Sequence, residues 1–188
     1  MIKQGVNTLQ WRDKSTRNPE TKKENLQQAI KLCQQANIPL YINDDWQLAL
    51  DLKAFGIHLG QEDLEHLQQK DLIRIHKEGL RLGISCHNET ELAYAHSLKP
   101  SYVAFGPVFN THSKQVNHLP LGLAKLKVLQ NCYGKVYPTT CIGGIDAENI
   151  QDVLATSITS VAVISAVDDP EKSIAFINAF TRLTLSRS

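Results

Sequence analysis

Short apolar runs of strand character alternate with helical patterns along the whole chain, and this rhythm limits the fold more than any other feature. The strand candidates are Thr8–Trp11, Leu40–Ile42, Gly56–Leu59, Leu82–Ser85, Tyr102–Phe105, Tyr137–Ile142 and Ser160–Ile164. Between them, apolar residues recur at near-helical spacing: Leu26, Ala29, Ile30, Leu32 and Cys33; then Leu121, Ala124, Leu126, Val128 and Leu129; then Ile150, Val153 and Leu154. Ile174, Phe176, Ile177 and Phe180 form a last stripe, and a helix pair is expected over Leu64–Gln69 and Leu72–Lys77. Strands that alternate with helices pair in parallel through right-handed crossovers. The choice is then between a closed barrel and an open doubly wound sheet. No Gly-x-Gly-x-x-Gly follows the first strand, which argues against a dinucleotide fold. The expectation is an α/β fold, a parallel (β/α)8 TIM-type barrel. Seven strands are countable where a closed barrel has eight, and the deficit lies at the front.

The bulk properties are those of one globular domain over residues 1–188, with 42% hydrophobic and 21% charged residues. Twenty basic and 19 acidic residues leave a net charge of +1, so no basic footprint marks nucleic acid or an anionic membrane as a partner. Any charge that holds an anion must be local. Cys33, Cys86, Cys132 and Cys141 form no C-x-x-C pair and match no zinc spacing, so they are expected to be reduced thiols. No apolar run reaches about 18 residues, and the N-terminus lacks a signal-peptide core. The expected compartment is the cytoplasm. A homo-oligomer is compatible with the sequence.

Polar clusters follow the C-terminal end of nearly every strand, and in a parallel barrel those ends form the functional face. Gln10, Arg12 and Lys14 alternate, so on a strand they point to one side and would suit a polyanion; a solvent-facing edge explains them equally well. Asp45 reads as the cap of a helix starting near Trp46, and Asp63 could cap one at Leu64. Asp44 and Asp63 end consecutive strand units, and together they could reach one hard cation such as Mg2+. Thr111, Ser113 and Lys114 lie in a polar stretch from Asn110 to His118, either a phosphate-binding loop or an ordinary surface loop. Gly143-Gly144, before a helix expected at Ala147, would let N–H groups approach a phosphate, together with those after Ile164. Of the seven histidines only His87, two residues after Ser85, falls on this face beside a strand end. No Ser-His-Asp or Cys-His set is present.

Taken in order, Gln-x-Arg-x-Lys, Asn-Asp, His-Leu-Gly-Gln-x-Asp, Gly-x-Ser-x-His, Gly-Pro-Val-Phe-x-Thr-x-Ser-Lys, Ile-Gly-Gly-Ile and Val-Ile-Ser resemble the thiamin-phosphate synthase family from about Gly5 to Ser173. The resemblance implies a barrel transferase that joins a thiazole phosphate to a pyrimidine carried as its pyrophosphate ester, with Mg2+. It implies that Gln10, Arg12, Lys14, Asn43, Ser113 and Lys114 bind the pyrophosphate and that Asp44 and Asp63 hold the metal. Ser85 would contact the pyrimidine, and Thr111, Gly144, Ile164 and Ser165 the thiazole phosphate. Arg12, Lys14 and Lys114 would neutralise the leaving pyrophosphate. Two departures stand out. Ser113 replaces the commoner Thr, and Tyr137–Cys141 is more polar than the strand usual there. Members also carry a strand and a helix before the Gln-x-Arg-x-Lys strand, so the chain is expected to lack that strand and most of that helix. Other readings are a thiazole tautomerase-like relative, with a histidine near His87 in acid–base chemistry, and a phosphate-binding remnant without activity. A sugar-phosphate epimerase would need metal-binding histidines that are missing here.

Overall fold

The computed structural model of the protein describes residues 6–15, 18–111, 119–168 and 170–185. The chain divides into two compact units, Ile2–Ile84 and Ser85–Ser188. In the first, strand β1 (Leu9–Trp11) pairs in parallel with β2 (Leu40–Asn43), β2 with β3 (Gly56–Leu59), and β3 with β4 (Arg81–Cys86). The register sets Gln10 beside Tyr41, Asn43 beside His58, and Leu59 beside Ile84. The crossovers are α1 (Pro19–Gln35), α2 (Trp46–Asp51), α3 (Gln61–His66) and α4 (Gln69–Lys77). All four residues of β3 are buried, as are Leu40, Tyr41 and Ile42 of β2. Burial of successive residues is expected where helices cover both faces of a parallel sheet.

Helix α1 begins where its sequence directs. Asn18 caps it, accepting from the Glu20 N–H at 2.8 Å, and Pro19 opens the first turn with no N–H to satisfy. Leu26, Ile30 and Cys33 carry its buried face; Leu32, counted above in the apolar stripe, points outward at 58% exposure.

The exits of α1, α2 and α4 share one geometry. The chain passes through the left-handed region at Asn37 (φ 54°), Lys53 (φ 50°) and Gly79 (φ 74°). The next N–H then returns to a carbonyl five residues back: Ile38 to Cys33 at 2.8 Å, Ala54 to Ala49 at 2.9 Å, and Leu80 to Ile75 at 3.1 Å. These are Schellman closures, and they turn each helix directly into the following strand.

In the second unit, β5 (Tyr102–Phe105) pairs in parallel with β6 (Thr139–Cys141), placing Phe105 beside Cys141. The helices are α5 (Glu89–Ser97), α6 (Gly122–Tyr133), α7 (Ile150–Leu154) and α8 (Pro170–Leu185), and a 3-10 turn spans Ser165–Val167. The polar strand that departs from the family pattern has an internal reason. Thr139 is buried and donates to Gln130 Oε1 of α6 at 2.6 Å, and its carbonyl accepts from Thr159 Oγ1 at 3.1 Å. The expected strand Ser160–Ile164 is reduced to one parallel bridge, Cys141 to Val161. The Ser160 carbonyl accepts from Cys141 N and the Ala162 N–H returns to the Cys141 carbonyl, after which the chain bends into the 3-10 turn and leaves the ladder.

The architecture is α/β with six parallel strands, coarser than the eight-stranded closed barrel expected. Among the described residues, no helix is long and apolar enough to cross a membrane.

Candidate active site

In the first unit Lys14, Asp44 and Asp63, each just beyond a strand end, come together. Gln10, Arg12 and Lys14 are exposed and alternate with the half-buried Trp11, Asp13 and Ser15. Strand β1 itself stops at Trp11. The Lys14 Nζ forms an ion pair with Asp44 Oδ2. Asp44 follows Asn43 at the end of β2 and adopts φ 68°, a left-handed conformation uncommon outside glycine. That conformation is held by the Asp44 N–H, which donates across to the His58 carbonyl of β3 at 3.0 Å. Strained backbone of this kind concentrates at functional sites.

Asp63 arrives from the first turn of α3. It accepts from the Gly60 N–H at 2.8 Å, and its carboxyl group lies close enough to that of Asp44 for the two to influence each other's charge. Burial pushes the Asp63 carboxyl above its usual range. The Gly60 N–H opposes that rise, the neighbouring Asp44 adds to it, and Lys14 works against it. Two carboxyl groups are therefore neighbours with Lys14 beside them, and Asp63 resists ionisation. Asp45, by contrast, has the capping role read from its position: it accepts from the Leu48 N–H at 3.0 Å at the start of α2. His58 is buried within β3.

The donor set suits a hard divalent cation. Two carboxylates can supply oxygen ligands, and further charge in this pair is relieved by binding a cation. Among the described residues no group of three or more His, Cys, Asp or Glu side chains could hold a metal. Mg2+ fits such a pair because it commonly takes only one or two carboxylates and fills its shell with water and phosphate oxygens.

The second unit has its own polar groups at its strand ends. Ser85 and His87 flank the buried Cys86, the last residue of β4; the alternation of the strand directs Ser85 to the side opposite Cys86, and His87 lies just beyond the strand. The Cys86 thiol is pushed up to about 12 by burial and by the nearby charge of Glu91, so it is not a nucleophile at neutral pH. Gly143 (φ 108°) and Gly144 (φ 63°) form the turn after β6. A Cβ on Gly144 would lie 2.5 Å from the Asn110 carbonyl oxygen and 2.8 Å from Phe109 Cβ. The Phe109 N–H donates to the Gly143 carbonyl at 3.0 Å, and Asn149 Nδ2 donates to the Gly144 carbonyl at 2.8 Å. Both glycines are thus required by the segment they pack against, whatever else they hold. The helix expected at Ala147 begins at Ile150 and has five residues, because Asp146 and Asn149 bind each other's backbone N–H groups in a loop first. Gly144 therefore sits in a pinned turn and not at a helix N-terminus. Thr111 is half-buried; Ile164 is 44% exposed and Ser165 opens the 3-10 turn. Ser113 and Lys114 lie outside the described residues.

Three residues escaped the reading of the sequence. Asn88, Glu91 and Asn149 each make hydrogen bonds that shape a strand end or a glycine turn. The Asn-x-x-Glu spacing of the first two was a visible capping signature; nothing local marked Asn149.

Parallel α/β scaffolds carry their functional groups at the C-terminal ends of their strands, where the lysine and carboxyl groups of the first unit lie. Comparison with known proteins narrows this. The family described as thiamine monophosphate synthase matches residues 1–167. A thiamine-phosphate synthase of Yersinia pestis (strain Pestoides F) is 46% identical over 168 residues, covering 89% of this chain and 75% of the relative. One of Salmonella paratyphi B is 45% identical over 167 residues, covering 89% and 77%. The solved thiamine phosphate pyrophosphorylase of Pyrococcus furiosus superposes with a TM-score of 0.81 over 98% of this chain and 86% of that one; at 24% identity it supports the fold alone. The chain belongs to the thiamine monophosphate synthase family, and is accordingly a transferase acting on small molecules.

Proposed function

We propose that the protein couples a hydroxymethylpyrimidine pyrophosphate to a thiazole phosphate, releasing pyrophosphate and forming thiamin phosphate. The observation that carries this reading is the cluster of Lys14, Asp44 and Asp63 in the first unit. Pyrophosphate is a poor leaving group until its growing charge is neutralised, and a lysine beside a cation-binding carboxyl pair is chemistry of that kind. Asp44 and Asp63 would hold Mg2+, which when bound supplies a positive charge to the pyrophosphate oxygens. Arg12 and Lys14, both exposed, would hold the leaving group with Gln10, Asn43, Ser113 and Lys114. Arg12, Lys14 and Lys114 are the three charges that act as its bond breaks. Ser85 would orient the pyrimidine. Thr111, Gly144, Ile164 and Ser165 would hold the thiazole phosphate.

The substitution needs no enzyme nucleophile. The bond from the pyrimidine methylene to oxygen breaks, the electron pair leaves with pyrophosphate, and the thiazole nitrogen attacks the electron-deficient carbon. Fixing both rings for that attack is the remaining task of the protein. The eight-stranded closed barrel belongs to this proposal; six parallel strands and the likeness to the Pyrococcus furiosus protein support it. So does a cytoplasmic setting, which suits cysteines that are all free thiols.

The test is pyrophosphate release by the purified chain supplied with both substrates, with and without Mg2+. Release that requires both substrates and the metal is expected. A folded chain that releases none would overturn the reading.

A further inference from the structure

The backbone from Asn43 to Trp46 carries more bonds than a strand end requires. The Asp45 N–H donates to the Asn43 carbonyl at 2.8 Å, and the Trp46 N–H donates to the Asp44 carbonyl at 2.9 Å. Each bond spans two residues, so each closes a γ-turn. The turn centred on Asp45 has φ −81° and ψ 76°, the common form. The turn centred on Asp44 has φ 68°, the rare and strained form. Strain of this kind persists only where the surroundings over-determine it. Two constraints do so here. Ahead of the turns, the Asp44 N–H is tied to the His58 carbonyl of β3 at 3.0 Å. Behind them, Asp45 starts α2 at once: its Oδ1 accepts from the Leu48 N–H at 3.0 Å, and its carbonyl accepts from the Ala49 N–H at 3.0 Å. Ala49 is fully buried, so this end of the turn is anchored in the core. The reversal decides where the Asp44 carboxyl group goes. In a continued strand, residue 44 would share the side of Ile42, which is buried. Turned out of the strand, the Asp44 side chain keeps 26% exposure, pairs with Lys14 and lies near Asp63.

We propose that Asp45 is a positioning residue for the Asp44 carboxylate: its side-chain bond to the Leu48 N–H holds the strained turn closed, and so keeps Asp44 beside Asp63 for a shared divalent cation. The proposal rests on the Mg2+ reading of the carboxyl pair, and adds to it the device that keeps the pair formed before the ion arrives. Two carboxylates leave most of the shell of such an ion to water and phosphate oxygens, so the placing of each one matters. An aspartate free to swing away must be re-ordered whenever the ion binds, and a preformed turn removes that cost. Asp45 itself is exposed, and its contribution is the bond it makes and not its charge.

Three variants separate these roles. Asp45→Ala removes the side-chain bond, and Asp45→Asn keeps a capping oxygen without the charge. Asp45→Gly lacks the bond at little cost to the helix, and covers the case in which Asp45→Ala does not fold. The first measurement is a titration of the folded chain with Mn2+ alone, with the free ion followed by electron paramagnetic resonance. Asp45→Ala and Asp45→Gly should raise the dissociation constant on the order of tenfold, and Asp45→Asn should stay near wild type. The second is amide exchange at Asp44, which needs no metal. Its N–H should exchange about tenfold faster in Asp45→Ala, with the β3 amides unchanged and the protection regained in Asp45→Asn. A lower melting temperature in Asp45→Ala with wild-type Mn2+ binding would reduce Asp45 to a helix cap and overturn the proposal. Equal loss of binding in Asp45→Asn would show that its charge matters and not its bond, and would overturn it as well. A wild-type chain that binds no Mn2+, or binding that survives Asp44→Asn, defeats the Mg2+ reading itself; wild-type binding that all three Asp45 variants retain defeats the role of Asp45 alone.

Discussion

The carboxyl pair of the first unit and the histidine–glutamate pair of the second are built on opposite principles. Lys14, Asp44 and Asp63 come from the ends of three successive strand–helix steps and meet only because those strands align. His87, Asn88 and Glu91 lie within five residues and would find one another in any chain that starts a helix there. The first cluster is electrostatically unsettled: one carboxyl group is pushed toward its neutral form by burial and by its neighbour. In the second, every oxygen of the carboxylate has a donor. The first cluster carries a carboxyl group that its surroundings disfavour as an ion, whereas the carboxylate of the second is satisfied within its own helix start.

The sharpest way to break this contrast is to remove charge from the first cluster. Arg12→Ala is expected to lower the rate of pyrophosphate release by about 100–1,000-fold. Arg12 is exposed, so the melting temperature and the stabilisation by added Mg2+ should stay at wild-type values. Unchanged turnover would remove Arg12 from the site.

Gly144→Ala tests the pinned turn of the second unit. The new Cβ meets the Asn110 carbonyl oxygen at 2.5 Å and the backbone stays at φ 63°, so a loss of about 2–4 kcal/mol in denaturant unfolding is expected. A variant of wild-type stability would show that the Asn110 segment yields freely.

Asp63→Asn should stabilise the protein in the absence of Mg2+ near neutral pH. The folded Asp63 binds its proton more tightly than the unfolded chain does. Its carboxyl therefore costs stability at high pH, and that cost disappears as pH falls through the folded-state value toward the unfolded one. Asparagine keeps an oxygen for the Gly60 N–H and carries no charge at any pH. The gain should thus be present at pH 7 and vanish in acid, and the Mg2+-induced rise in melting temperature should be lost. Melting curves from pH 3 to 8, with and without Mg2+, check both statements; a variant less stable at pH 7 would reverse the sign argued here.

The smallest effect is at a helix exit. Lys53 holds the left-handed position that Gly79 holds after α4. Lys53→Gly is expected to gain about 0.5–1 kcal/mol, because relief of the Cβ clash exceeds the added freedom of the unfolded chain. Chemical denaturation resolves such a difference, and a loss of stability would mean that the lysine side chain contributes more than its backbone strain costs.

Legibility in the sequence followed the range of the interactions. The positions of β2, β3 and β5, the capping role of Asp45 and the alternation of Gln10, Arg12 and Lys14 were readable because each depends on neighbours within a few residues. The late start of α7 was not, since a side-chain turn between Asp146 and Asn149 competes with the helix there. Nor was the reduction of the expected Ser160–Ile164 strand to one bridge, which depends on what the chain does at Ser165.

By itself the sequence determined the alternation of strands and helices, the parallel pairing and the capping role of Asp45, because periodicity and capping are local properties of the chain. Tertiary structure decided that burial and the neighbouring Asp44 push Asp63 toward its neutral form, that Thr139 belongs in the core opposite Gln130, and that Gly144 has no room for a side chain. Each of these arises when groups distant in sequence are brought together out of water, where burial and a near neighbour set the charge, the partner and the space that a residue is allowed.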